Sequence, residues 1–243
     1  MANEHATPPP PVALITGAAG GLGNAVIHEL LAQGWRVGAG WHRQPLTPAG
    51  EALLPLALDV TSTAGVTAAV EQLLARWGRL DLLVHCAGIT RDTLLAQMPP
   101  ADWDAVMQVH VKGAFLCARA VLPVMARQRA GHILHISSFA ARAGARGQAN
   151  YAAAKAALLG LTVSLAREAA PHNVQVNAVL PGVLPTGMTQ SLTAAQLAAL
   201  TEANLLRRMN DLPEVARFIV FLAGMRNVSG QIFQLDSRVH SWT

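Results

Sequence analysis

Hydrophobic positions along this chain change period in a regular way. Val12 to Ile15 is a short apolar run, followed by the small-residue stretch Thr16 to Gly23; Val26, Leu30 and Leu31 then recur at helical spacing as far as Gly34. Arg36 to Trp41 and Leu54 to Leu58 read as second and third strands. Val66, Val70, Leu73 and Leu74 restore the helical period up to Gly78. Leu80 to Cys86 is almost continuously apolar, the pattern of a strand buried on both faces. Two helices are expected over 101–112 and 113–129, then a strand at His132 to Ile136, a long small-residue helix from Tyr151 to Ala170 and a strand from Val174 to Val179. Segment 183–206 is polar and irregular, with a helix at 193–203. Pro213 to Ala223 and Gln231 to Leu235 close the chain as helix and strand.

Strand and helix thus alternate throughout, which predicts βαβ units and a parallel sheet covered on both faces. Right-handed crossovers make this α/β chain a doubly wound, Rossmann-type three-layer sandwich of about seven strands. No repeat, linker or shift in composition divides it. Residues 11–243 are expected to form one domain behind a proline-rich tail, 1–10.

Composition narrows the classes. Hydrophobic residues make up 52% of the 243 positions and charged residues 13%, against about 25% charged in an average domain. Disorder is excluded, and so charge-poor a surface is expected to be covered in part by other subunits. The net charge of +4 comes without a basic run, so nucleic acid is not an expected partner. The longest uncharged apolar stretch, Ala156 to Ala166, falls short of the ~20 residues of a membrane span. Cys86 and Cys117 form no CxxC pair and read as reduced thiols. With no apolar signal region at the start, a cytoplasmic address is expected.

The chemistry lies at the turns. Gly17, Gly21 and Gly23, with Gly20 and Leu22 between them, join the first strand to the first helix. Glycine there lets the backbone turn tightly and approach a pyrophosphate at the helix N-terminus. The second strand ends Gly-Trp-His-Arg-Gln at 40–44, without an acid; His42 and Arg43 suit a ribose 2′-phosphate, so NADP(H) is preferred over NAD(H). Asp59 either accepts from an adenine amine or caps the next helix. Tyr151, the only tyrosine, precedes Lys155 by four positions, which puts both on one helical face. An adjacent ammonium favours the phenolate, which would make Tyr151 a proton donor or acceptor at a substrate oxygen. A hydroxyl from Ser137 or Ser138 would polarise the carbonyl. Nine histidines raise the question of a metal, but there is no HExxH and no Cys/His cluster, and His132 and His135 fall on opposite strand faces. No G-x-S-x-G elbow marks Ser138 as a hydrolase nucleophile. Trp103 and Phe115 read as core.

TGAAGGLG at 16–23, LDV at 58–60, LDLLVHCAGIT at 80–90, ISS at 136–138, YAAAK at 151–155 and PGVLPTGMT at 181–189 together resemble the short-chain dehydrogenase/reductase family, across residues 11–236. AGITRD at 87–92 and GQANYAAAKAALLG at 147–160 are similar to its 3-oxoacyl-[acyl-carrier-protein] reductase branch. The resemblance implies Ser138 as catalytic serine, Tyr151 as acid/base, and Lys155 as the residue that binds the ribose hydroxyls and tunes Tyr151. It places Gly17, Gly21, Gly23, Asp59, Val60, Ala87, Gly88, Pro181, Gly182 and Thr186 at cofactor-contacting positions. It implies a tetramer joined through two long helices and the last strand.

Three positions depart from the family. His85-Cys86-Ala87-Gly88 replaces Asn-Asn-Ala-Gly, His110 replaces the Asn that completes the catalytic tetrad, and Asp236-Ser237-Arg238 stands where two glycines usually end the last strand. Gly20 also stands where NADP users often carry a basic residue. The expected reaction is reduction of a 3-oxoacyl thioester, linked to acyl carrier protein or CoA, in fatty acid or polyketide-like biosynthesis. Segment 183–206 and loop 89–97 would select the substrate. Two alternatives stand beside it: dehydrogenation of another secondary alcohol, and a weakly active or non-catalytic subunit paired with a paralogue because of His110. Arg127 and Arg129, near Arg119, are the expected docking patch for an acidic carrier protein, if they lie near the active-site mouth.

Overall fold

The computed structural model describes residues 9–47, 50–187, 189 and 192–239; the expected tail lies outside them except for Pro9 and Pro10. The elements run β1 (Val12–Thr16), α1 (Gly21–Ala32), β2 (Arg36–Trp41), β3 (Leu53–Ala57), α2 (Thr63–Trp77), β4 (Leu82–His85), α3 (Pro100–Met107), α4 (Gly113–Gln128), β5 (Gly131–Ile136), α5 (Ala140–Ala143), α6 (Ala149–Ala169), β6 (Val174–Leu180), α7 (Ala194–Glu202), α8 (Leu212–Ala223) and β7 (Ile232–Gln234). The strands form one seven-stranded sheet in the order β3-β2-β1-β4-β5-β6-β7, every pair parallel. This is the doubly wound sandwich expected. Alternate strand residues feed two cores. Leu14, Leu83, Ile133 and Val176 pack with α2, α4 and α6, whereas Ile15, Val84, Leu134 and Val179 pack with α1 and α8.

Local chemistry sets the boundaries. β4 is shorter than its apolar run because Leu80 gives both backbone groups to the Gln128 amide, at 2.9 and 2.8 Å, and has none left for a neighbouring strand. Pro55 fits in β3 because β3 is an edge strand, where a missing N–H is tolerated. The two helices expected over 101–129 are one continuous run: α3 passes into α4 through a π turn at Gln108–Lys112, all its caps in helical conformation. This run, Pro100–Gln128, is 29 residues long and apolar enough by length and composition to cross a bilayer, longer than the stretch singled out in the sequence. Its buried residues, among them Leu116, Cys117, Val121 and Met125, belong to the sheet core, as in the core helix of a globular domain. Phe115, expected in the core, points outward at 45% exposure, with Arg119 5.2 Å above its ring. Trp103 is half-buried.

One side chain ties the segment leading into the last strand to β6 and β5. The Asn177 amide nitrogen of β6 donates to Val228 O at 2.8 Å and lies 2.8 Å from His132 Nε2, while its oxygen accepts from Gln231 N at 2.9 Å. His132 is therefore a structural residue on the face opposite His135. An Asn177→Ala variant, which leaves these buried partners unpaired, is expected to lose ~2–4 kcal/mol of unfolding free energy in urea melts. A loss under ~1 kcal/mol would show that β7 docks without this bridge.

Candidate active site

Parallel strands bring their C-terminal ends to one edge, and the turns there carry the expected residues. After β1, Gly17 adopts φ +65°, and a Cβ on it would lie 2.8 Å from the Ala87 backbone. A Cβ on Gly23 would lie 2.5 Å from Gly17 O, and one on Gly21 2.9 Å from the Thr186 side chain. Gly20 caps α1 without a side chain, so the first amides of that helix stay available to an anion. Leu22 packs against the α1/α8 core. The cradle is hence backbone-lined and open at a helix N-terminus, which fits a dinucleotide pyrophosphate. Thr16 closes its floor: its hydroxyl accepts from Ala87 N at 3.1 Å and meets His85 Nδ1 at 3.1 Å. Pro181 and Gly182 (φ +78°) leave β6 on the same edge, their turn held by Asn210 Nδ2 on Pro181 O at 2.8 Å.

The two serines divide their work. Ser137 is buried and donates to Lys155 O at 2.8 Å, a structural bond between β5 and α6. Ser138 hydrogen-bonds the Tyr151 hydroxyl and accepts from Ala140 N at 3.2 Å. Lys155, a turn beyond Tyr151, is buried; its Nζ donates to Ile136 O at 2.7 Å and lies 5.5 Å from the Tyr151 ring centroid. Burial pushes the Lys155 ammonium down to about 8. The Tyr151 phenol moves opposite to the expected direction. Burial raises it, the Ser138 bond pulling it down and the Asp92 charge adding to the rise. In the protein alone, Tyr151 is a protonated acid and not a primed phenolate.

His110 sits inside the π turn, fully buried. Its Nε2 lies 2.8 Å from Ile89 O and 3.1 Å from Ile89 N, and its ring stands edge-on to Tyr151 at 5.3 Å between centroids. A Cβ on Gly88 would collide with that ring. His110 thus ties the loop after β4 to the helix beside the phenol. Burial, with the Lys155 charge nearby, lowers its pKa to about 3, so the ring is neutral. His85 and His135, register partners on β4 and β5, are neutral as well: burial takes His85 well below its ordinary value and His135 to about 4. His135 Nδ1 lies 2.9 Å from Thr162 Oγ1. Burial raises the Cys86 and Cys117 thiols to about 12, so both are inert. Among the described residues, no three His, Cys, Asp or Glu side chains converge as a metal site.

Other expected residues divide. His42 and Arg43 lie exposed at the end of β2, with His42 Nε2 3.9 Å from Asp59 Oδ2. Burial draws the Asp59 carboxyl upward, but the amide and hydroxyl of Thr61 and the charge of His42 hold it below the usual value. The cap of α2 is Ser62, so Asp59 is not the helix cap; it braces the preceding turn through Thr61. Val60 is buried against Gly113, a core position behind the cradle. Arg127 and Arg129 are not at the mouth. They end α4 where β5 begins, with Arg129 Nη2 3.3 Å from Pro171 O. At about 3.3 Å per residue, β5 separates them from Ser138 by roughly 20 Å. The sequence reading overlooked Asn150, fully buried before Tyr151: its oxygen accepts from Tyr151 N at 2.7 Å and its nitrogen donates to Arg91 O at 3.0 Å. An amide beside YxxxK inside GQANYAAAK was the available signal.

The chain is similar to known proteins along most of its length. Residues 11–197 match the family model described as short chain dehydrogenase. A 3-oxoacyl-[acyl-carrier-protein] reductase FabG of Thermotoga maritima is 40% identical over 235 residues, covering 93% of this chain and 96% of its own. A 3-oxoacyl-[acyl-carrier-protein] reductase of Synechocystis sp. is 38% identical, with 93% and 95% coverage. A tyrosine-to-phenylalanine variant of ElxO with NADPH bound superposes with a TM-score of 0.86 at 26% identity, covering 93% of this chain and 96% of that one.

The buried neutral imidazoles predict acid lability. His85, His110, His132 and His135 all have folded pKa values below their unfolded ones. Unfolding therefore takes up protons once pH falls below ~6.5, at about 1.4 kcal/mol per pH unit for each imidazole. Urea melts between pH 7 and pH 4.5 are expected to show stability falling by several kcal/mol. A flat profile over that window would contradict neutral burial.

Proposed function

Because the chain belongs to the short-chain dehydrogenase family, and is an oxidoreductase acting on CH–OH groups with a nicotinamide cofactor, we propose that it reduces a 3-oxoacyl thioester to the 3-hydroxyacyl thioester with NADPH. The observation that carries this reading is the Tyr151 phenol, half-buried beside Ser138 and kept protonated by desolvation. Reduction of a ketone needs an acid at the carbonyl oxygen, and a phenol kept neutral by burial is one. Identity of up to 40% to proteins named as 3-oxoacyl-[acyl-carrier-protein] reductases supports the substrate class.

When bound, a reduced nicotinamide supplies the hydride that the keto carbon accepts. The chain's own residues do the rest. The Ser138 hydroxyl donates to the carbonyl oxygen and steadies its growing negative charge. Tyr151 then gives its proton to that oxygen. Lys155, fixed on Ile136 O, keeps a positive charge within reach of the resulting phenolate and favours it. Gly17, Gly20, Gly21, Leu22, Gly23, Ala87, Gly88, Pro181, Gly182 and Thr186 would frame the cofactor, with Asp59 and Val60 towards the adenine.

NADP(H) is preferred because β2 ends without an acid and with His42 and Arg43 exposed; the bound NADPH of the structural neighbour points the same way. His110 supports an active subunit over a non-catalytic partner, because it bonds the Ile89 backbone and keeps the π turn beside Tyr151. We place the enzyme in the cytoplasm as a tetramer. Phe115 on α4 and Val163 on α6 are exposed apolar side chains on the two long helices. An acidic carrier protein reaching Arg127 and Arg129 would then have to serve a neighbouring subunit's mouth.

Acetoacetyl thioesters are expected to be reduced with NADPH, in preference to simple ketones across a substrate panel. Tyr151→Phe is expected to lower kcat about 10²–10⁴-fold while NADPH binding, read by fluorescence, is retained. Robust turnover of simple ketones with none of the thioester would replace the substrate. For the cofactor, Arg43→Ala is expected to raise KM for NADPH by about tenfold, the equivalent of one charge-assisted contact, and leave KM for NADH unaltered. Equal effects on both would remove the 2′-phosphate site.

A further inference from the structure

The chain does not leave the fold at the end of β7. Asp236 and Arg238 bury their side chains to 1% and 6% exposure, with Arg238 Nη2 and Nε at 2.7 and 2.8 Å from Asp236 Oδ2. Gln234 Nε2 braces the pair, donating to Asp236 Oδ1 at 2.7 Å and to Arg238 O at 2.8 Å. This short segment then reaches two ways. Towards the catalytic side, the Arg238 guanidinium lies 3.8 Å from the Phe139 ring centroid, next to Ser138, and Gln234 Oε1 accepts from Arg142 of α5 at 3.1 Å. Towards the substrate side, Ser237 Oγ accepts from Leu206 N at 3.1 Å and Ser237 O from Leu205 N at 3.4 Å, just beyond α7. Asn210 Nδ2 bonds Leu235 O at 3.0 Å, and a Cβ on Gly182 would lie 2.9 Å from that of Asp236.

No residue of α7 is buried. The residues just past its C-terminal end, Leu205 and Leu206, bond the C-terminal segment, and Gly182, where the chain leaves β6, lies beside Asp236 of the same segment. A buried ion pair adds little net stability over apolar residues of the same size, but it fixes one geometry.

We propose that Asp236-Ser237-Arg238 is a strap that sets the substrate arm carrying α7 against the Ser138 turn, with Ser237 and Arg238 as positioning residues for the reduction. The inference rests on the thioester-reductase reading. An ion pair and a hydroxyl follow β7 in this chain, so the arm's register to Ser138 is built in. Leu205 and Leu206, exposed at 72% and 62%, are the apolar side chains that the strap presents at the arm's root. An acyl chain is the chemical class that would use them.

The full-length enzyme with Ser237→Ala is expected to raise KM for an acetoacetyl thioester about threefold to tenfold, the loss of one neutral hydrogen bond. Its kcat should stay within about twofold and its NADPH dissociation constant should not move. Arg238→Met should do the same more strongly, and Arg238→Lys, which keeps the charge, should recover part of the loss. Hydrogen exchange in α7 should quicken in each variant. If Arg238→Met does not fold, Ser237→Ala and Arg238→Lys carry the test. A lower melting temperature with unaltered KM, kcat and α7 exchange would overturn the strap. If the wild-type enzyme reduces no thioester, the substrate reading fails instead. The strap is then judged by α7 exchange alone: faster exchange supports it and unchanged exchange overturns it.

Discussion

A buried ammonium bonded to the carbonyl at the end of a parallel strand holds this site together. Lys155 Nζ on Ile136 O joins α6 to β5 at the point where β5 turns into Ser138. Ser137 answers from the opposite direction, its hydroxyl on the Lys155 carbonyl. Strand end and helix are thus locked by two reciprocal bonds, and the distance from Ser138 to Tyr151 follows from them. Burying a lysine is costly, as its downward shift to about 8 records. Burial therefore serves geometry and charge at the phenol, since it opposes stability.

The neighbouring polar core has the same logic. The imidazoles of His85, His110 and His135 surround that lysine, and all are kept neutral by burial, so none competes with it for charge. One of them, His110, ties the helical run to the Ile89 backbone through Nε2. With its hydrogen on Nε2 the neutral ring donates to the Ile89 carbonyl at 2.8 Å, the shorter of the two approaches, and the same nitrogen does not also accept from the Ile89 N–H.

The fold was legible in the sequence because its signals were strong. Seven apolar runs alternating with helical periods specify a parallel sheet, and the glycine loop and YxxxK lie where that sheet brings them together. Local competition explains the misplaced ends: Gln128 took Leu80 out of β4, and helical caps on both sides of Gln108–Lys112 fused two expected helices. Other features depend on tertiary placement that no local pattern encodes. Phe115 has the hydrophobicity of a core residue but faces outward on α4, where only a partner would bury it. Arg127 and Arg129 had the right charge at the wrong end of β5. The phenol's shift is upward because desolvation, invisible in the spacing of Tyr151 and Lys155, outweighs the Ser138 hydroxyl, with the Asp92 charge adding to the rise.

The strand order has a consequence for how the chain acquires this architecture. β1 lies between β2 and β4, and its pairing with β4 joins Thr16 to His85 across 69 positions. During synthesis the first three strands carry a bare edge on β1 until β4 emerges, and closing so long a loop is slow as well as entropically opposed. The nascent half-sheet is the species most exposed to wrong pairing. Thr16, which later floors the cofactor cradle through His85 and Ala87, is then also the residue that records when the two halves have met.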